Sequence, residues 1–174
     1  KQSNVAVIFT NQIREKVGVM YGCFRADTPI TLADGSTLPI SQIVENRLAV
    51  DVLSYNTASG LYEPRRVVNW FNNGAAESFL RINTAEQSVV CTPNHLLMGE
   101  HGYVRAEELK VGSRLMAAIP AAELVPAVGV SAPTHMPEWV TITNIEILNG
   151  DANKYDLEVE GNHCYVAGGV TVHN

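Results

Sequence analysis

Cysteine is scarce in this chain: Cys23, Cys91 and Cys164 are the three in 174 residues. An odd and small number argues against a disulfide-stapled secreted fold and fits a reducing compartment. No apolar run approaches the roughly 20 residues that a membrane-spanning helix needs, and no secretory signal with its cleavage site is present. A cytoplasmic protein without a membrane partner is therefore expected. Lys and Arg number 12 against 18 Asp and Glu, a net charge of -6. The basic residues form no cluster, which argues against a dedicated nucleic-acid surface. No repeat of fixed period occurs, and helical pattern is confined to "SQIVEN" and "RAEELK", one or two turns each.

What is present suits a globular chain. Hydrophobic residues make up 46%, enough for a core at this length, as one domain or one domain with an appendage. The pattern changes at Gly22. Before it, Val5 to Phe9 is an unbroken apolar run, as in a strand buried on both faces of a parallel sheet. After Cys23, short alternating segments separated by turns predict an all-β domain. In "TPITLADGSTLPI", Ala33 to Ser36 reads as a hairpin turn with Gly35 free to take positive φ. Further strands are predicted at 49–55, 65–71, 78–82, 88–91, 140–148, 154–159 and 164–166. The stretch from Pro120 to Pro137, rich in Ala, Val and Pro, reads as a surface excursion joining two halves of the domain.

Three blocks carry possible chemistry. Cys23 follows Gly22 in "YGCFRADTPI"; it is either a small buried hydrophobe or a nucleophile. Gly22 favours the second reading, because glycine allows strained backbone and removes steric cover from its carbonyl. In "CTPNHLL", His95 is either a structural residue or a partner of Thr92 across a proline turn, presenting a hydroxyl and an imidazole to one peptide group. In "YDLEVEGNHCYVAGGVTVHN", the alternation of Tyr155, Leu157 and Val159 turns Asp156 and Glu158 to the opposite face. Glu158 reads as a solvated carboxylate. A turn after Gly161-Asn162 and a second strand through Gly168-Gly169 fold His173 and Asn174 back towards His163.

These blocks, in this order from Cys23 to Asn174, resemble the intein family, within the class of Hint domains shared with the hedgehog autoprocessing domain. The resemblance implies a horseshoe-shaped all-β Hint fold with one or two short helices, its first and last residues brought together. It implies autocatalytic protein splicing with no cofactor. Cys23 would attack the Gly22 carbonyl, with the block of Thr92, Asn94 and His95 stabilising the intermediate and protonating the leaving nitrogen. Asp156 would assist the first Cys and the later transfer. A Cys, Ser or Thr after Asn174 would accept the acyl chain, and Asn174 would cyclise to a succinimide with His173 and His163 as acid or base. The chain stops at Asn174, so it is expected to shed its N-terminal segment but not to splice. With only about 120–137 in the place of an endonuclease, a mini-intein is expected.

Residues 1 to 22, "VAVIFTNQIREKVGVMYG" in particular, resemble bacterial RecA recombinase at the strand bearing an Asn-Gln pair. Gln12 would be the ATP-sensing residue and Gly22 the start of a DNA-binding loop. This segment would be an N-extein remnant and 23–174 the intein. The partners implied are the chain's own flanking exteins, with single-stranded DNA and ATP only through the host; a monomer is expected.

Other assignments stay open. Cys91, reading best as core, could join His95, His163 and Cys164 in a zinc site, although adjacent ligands suit a tetrahedron poorly. Cys164 is either packing or a redox modulator, pairing with Cys23. A cysteine hydrolase acting on other chains would leave the terminal Asn without work.

Overall fold

The computed structural model describes residues 22–121 and 135–174. The expectations for Val5 to Phe9, for Gln12 and the rest of the RecA-like segment, and for most of the 120–137 stretch lie outside those residues.

The described chain is almost wholly β, as expected. The first strands are β1 (Phe24–Arg25), β2 (Pro29–Thr31) and β3 (Thr37–Pro39), followed by a short helix α1 (Ile40–Glu45). Next come β4 (Asp51–Asn56), β5 (Leu61–Asn83), β6 (Ser88–Cys91), β7 (Leu96–Gly99) and β8 (Gly102–Arg105), then one 3-10 turn, Ala106–Glu108. The last are β9 (Arg114–Pro120), β10 (His135–Thr141), β11 (Asn144–Val159), β12 (Cys164–Ala167) and β13 (Val170–His173). They form two sheets, ordered β11-β1-β6-β5-β4 and β10-β9-β7-β13-β12-β2-β3, with β8 paired to β7.

Local sequence explains the small elements. Pro29–Thr31 pairs with Thr37–Pro39, and at the turn Gly35 takes φ +87° while the Asp34 carboxylate accepts the Ser36 N–H at 2.9 Å, an Asx turn. In α1, Ile40, Ile43 and Val44 are buried, the i, i+3, i+4 stripe that seats a single turn or two on a sheet. Arg47 then enters the left-handed region at φ +48°, ending the helix.

Three differences from the sequence reading have physical causes. The segments 65–71 and 78–82 are one strand, β5, whose middle runs through "NNGAAE". Residues 72–75 are exposed there because β11 is the partner of β5 along that ribbon, so no apolar alternation marks it. Conversely, 140–148 is not one strand. The chain leaves β10 at Thr141, buries Ile142, and crosses to the other sheet as β11. The expected excursion is shorter than Pro120 to Pro137, because His135–Pro137 pair with Ala118–Pro120.

The core gathers Phe24, Ile30, Val52, Ile82, Leu97 and Tyr165, all essentially without solvent exposure. Every residue of β12 is buried, since it lies between β13 and β2 and both faces are covered. Gly168 closes the β12–β13 hairpin at φ +58°, where a Cβ would lie 2.8 Å from the Val89 Cα. Gly168→Ala is therefore expected to destabilise the fold by roughly 2 kcal/mol or more, with a matching fall in thermal midpoint; an unchanged midpoint would show that the hairpin yields at no cost.

Candidate active site

Strand β1 is only two residues long, yet it fixes the site. Phe24 pairs with Tyr155 on one side and Cys91 on the other, which sets Cys23 beside Thr92 and close to Asp156. Cys23 N–H donates to Thr92 Oγ1 at 2.8 Å, and Thr92 N–H donates back to the Cys23 carbonyl at 2.8 Å. The Thr92 hydroxyl in turn donates to Asn94 Oδ1 at 2.8 Å, so its lone pairs face the Cys23 amide. Gly22 takes φ +81°, and a Cβ on it would lie 2.6 Å from Thr92 Oγ1 and 2.7 Å from the His95 backbone nitrogen. Only glycine fits this approach.

His95 is fully buried. Its ring packs on Phe24 with centroids 4.1 Å apart, and neither ring nitrogen makes a hydrogen bond of ordinary geometry. Burial pushes its pKa down to about 3, eased by nearby backbone of Gly22 and His173. The imidazole is neutral and lies between backbone from the two ends of the site. Unpartnered buried nitrogens are costly and unusual.

The Cys23 thiol is buried, which pushes it up to about 11; the Asn73 amide, donating to Sγ from 3.2 Å, opposes the rise, while the Asp156 carboxylate adds to it and Lys154 lessens it. Asp156 is itself pushed up to about 7, by burial first and Glu158 last, against hydrogen bonds from Tyr165 and the Leu157 backbone. Its Oδ1 accepts the Tyr165 hydroxyl at 2.6 Å and the Leu157 N–H at 2.8 Å. Near neutral pH this is a protonated thiol beside a carboxyl group at the middle of its titration.

At the other end, the β12–β13 register sets His173 opposite Cys164. Asn174 N–H donates to the His163 carbonyl at 3.1 Å. With its carboxamide nitrogen toward His163 O at 2.5 Å and its oxygen toward Val159 N–H at 2.6 Å, the Asn174 side chain satisfies both backbone groups. His173 Nδ1 lies 2.6 Å from the Asn174 carbonyl oxygen, its ring edge-on to Tyr103 at 4.9 Å. Burial lowers the His173 pKa, the Asn174 oxygen opposes this, and His163 adds to it. His163 is exposed and takes φ +52°; its carbonyl touches Asn174.

The structure thus brings together Gly22, Cys23, Thr92, Asn94, His95 and Asp156, and holds His163, His173 and Asn174 in a second group that His95 adjoins. It does not bring Cys164 to Cys23. The Cys164 thiol donates to the Tyr55 carbonyl at 3.3 Å and lies 3.4 Å from Ser54 Oγ, on the face of β12 opposite to Tyr165. Cys91 is core, and among the described residues no group of three or more His, Cys, Asp or Glu could hold a metal ion, so the zinc set of Cys91, His95, His163 and Cys164 is not assembled. Sequence reasoning missed Asn73, Phe24, Tyr103 and Tyr165. Asn73 is fifty positions from Cys23 and carries no local signal; Tyr165 could have been suspected as a polar tip in an otherwise apolar strand.

A family model described as intein splicing domain matches residues 30–174, beginning after Cys23. Protein RecA of Mycobacterium leprae is 47% identical over 125 residues, covering 68% of this chain and 17% of that protein. The chain therefore spans less than a fifth of that relative's length. The solution structure of the DnaX mini intein from Spirulina platensis is similar at a TM-score of 0.70 and 27% identity, covering 87% of this chain and 99% of that one. The crystal structure of a DnaB intein from Synechocystis sp. PCC 6803 shares the fold at a TM-score of 0.73 and 21% identity, covering 87% of this chain and 97% of that one.

The two buried groups oppose each other in acid. Between 3.8 and about 7 the folded state holds a proton on Asp156 that the unfolded chain releases, so this group's stabilisation declines as pH rises. Between about 3 and 6.5 the unfolded chain protonates His95 and the folded state does not, so stability declines as pH falls. Asp156→Asn leaves the His95 contribution unopposed; its denaturant midpoint is expected to fall more steeply than wild type between pH 6.5 and 4.5, whereas parallel curves would contradict the assigned shifts.

Proposed function

Because the chain belongs to the family of intein splicing domains, whose reaction is protein splicing, we propose that Cys23 and Asn174 are its two reacting ends and that residues 23–174 form the splicing domain. Residues 1–22 are then the remnant of the N-extein. The observation that carries this reading is the packing of Gly22 against Thr92 and His95, with the Cys23 amide held by Thr92. That nitrogen is the leaving group of an acyl shift.

The steps follow from the geometry. Cys23 Sγ attacks the Gly22 carbonyl carbon, the C–N bond to Cys23 breaks, and a thioester replaces the amide. A thiol pushed up to about 11 needs a proton acceptor, and the adjacent Asp156 carboxylate serves. Thr92, oriented by Asn94, keeps the nitrogen in place, and His95, neutral and beside Gly22, exchanges the proton with it. In the precursor a Cys, Ser or Thr after Asn174 takes over the acyl chain. Asn174 Nδ2 then attacks its own carbonyl carbon, whose oxygen is polarised by His173 Nδ1–H. The C–N bond to the following residue breaks, that nitrogen leaves as an amine carrying the proton lost by Nδ2, and a succinimide remains, while His163 orients the carboxamide through its carbonyl. Holding all these groups in one chain supplies much of the rate.

The host in this reading is a RecA-type recombinase, supported by the mycobacterial relatives and by the RecA-like residues 1–22. Its partners are its own exteins; single-stranded DNA and ATP meet it only through the host, and it acts as a monomer in the cytoplasm. No helix among the described residues is long and apolar enough to cross a membrane.

Intact mass followed over time, with and without excess dithiothreitol, tests the first step. The wild-type chain is expected to lose residues 1–22, faster with thiol, and Cys23→Ala to lose nothing. A wild-type mass unchanged in thiol would overturn the assignment of Cys23.

A further inference from the structure

Tyr165 lies at the centre of the site, inside the last of the blocks that define it but with no role assigned to it there. It is wholly buried on β12, and the pleat directs it away from Cys164, whose thiol meets Ser54 and Tyr55 on the opposite face. A phenylalanine would supply the same apolar packing. The hydroxyl adds a 2.6 Å hydrogen bond to Asp156 Oδ1 and a lesser interaction with the Leu157 backbone. That oxygen also accepts the Leu157 N–H at 2.8 Å, so it is fully engaged, and among the described residues no hydrogen bond engages Oδ2. The ring lies edge-on to Phe24 at 6.0 Å, and Phe24 packs on His95 at 4.1 Å.

We propose that Tyr165 is the positioning residue of the acyl shift: its hydroxyl holds Asp156 Oδ1 so that Oδ2 faces the Cys23 thiol, and its ring ties that carboxylate to the Phe24–His95 stack. This rests on the reading of Cys23 as the nucleophile. In the step, the Sγ–C bond to Gly22 forms and the C–N bond to Cys23 breaks. The thiol proton passes to Oδ2 and reaches the departing nitrogen by way of His95, so nothing is consumed.

A buried phenol and a buried carboxyl group are each costly alone and satisfied together. The hydrogen bond also favours the ionised carboxylate, so removing it makes Asp156 a weaker acid. The other charged or titratable groups around Asp156 are Cys23, Lys154 and Glu158; across the ribbon, the β5 residues 69–73 are Asn, Trp, Phe, Asn and Asn, and carry no charge. The Asp156 titration is thus governed mainly by burial and by Tyr165.

The test is Tyr165→Phe, which keeps the ring. Thiol-triggered loss of residues 1–22 is measured from pH 5.5 to 9 and expressed as the ratio of variant to wild type at each pH, which cancels the ionisation of the reagent. The Asp156 carboxyl carbon is titrated by NMR in both proteins. The carboxyl midpoint is expected to move up by about one pH unit, the scale of one hydrogen bond to a carboxylate. The rate ratio is expected to fall to about a tenth below pH 6.5 and to recover towards one at pH 9. An unmoved carboxyl midpoint, or a deficit equal at every pH, would overturn the proposal. If the wild type sheds nothing, the reading of Cys23 fails separately, and the carboxyl titration still decides whether Tyr165 governs Asp156.

Discussion

The site depends on the two hydrogen bonds exchanged between Cys23 and Thr92. One, from Thr92 N–H to the Cys23 carbonyl, continues the ladder past the ends of β1 and β6, and the other runs from Cys23 N–H to the Thr92 hydroxyl. Both exist because Phe24 is paired with Cys91 and Tyr155. Strand pairing has a period of two, so a slip of one residue would turn Phe24 out of the core and Cys23 away from Asp156. The burial of Phe24 therefore sets the register, and the register places the reactive peptide. With Cys23 fixed, Gly22 has no room for a side chain and no freedom to take another φ.

Dryness is the second constraint, and it acts on the buried titratable groups beside Cys23 in the same sense. Burial raises the Cys23 thiol and the Asp156 carboxyl and lowers His95, so each is pushed towards its neutral form. The thiol and the carboxyl, at about 11 and about 7, thereby stand nearer each other than their ordinary 9.0 and 3.8, while His95 is driven below both to about 3. The fold bears the cost of an imidazole without ordinary hydrogen bonds and a carboxyl group away from water. Such local costs are usual at functional sites and are offset by packing elsewhere.

Much of the fold was legible in the sequence because the short strands that face the core on one side alternate. The hairpin at Gly35, the strand at Ser88–Cys91 and both helical turns follow from local pattern alone. The misread regions are those where burial is not one-sided. The middle of β5 is exposed on both faces and at Ile142 the chain passes between sheets; neither leaves an alternation of period two, whereas β12, buried on both faces, was still read as a strand at 164–166. The blocks proposed to react were legible for a different reason, since Cys23, Thr92 to His95, Asp156, His163 and the final His173-Asn174 are residue types suited to acyl and proton transfer, set in short, ordered runs.

By itself the sequence determined an all-β chain with those blocks in that order, because turn chemistry and alternation are local. The tertiary structure alone decided that Cys164 faces Ser54 and not Cys23, that Asn73 reaches the thiol, and that Tyr165 holds Asp156. Those contacts join residues from 9 to 110 positions apart. Which distant side chains meet is set by sheet order and register, and no local pattern encodes either.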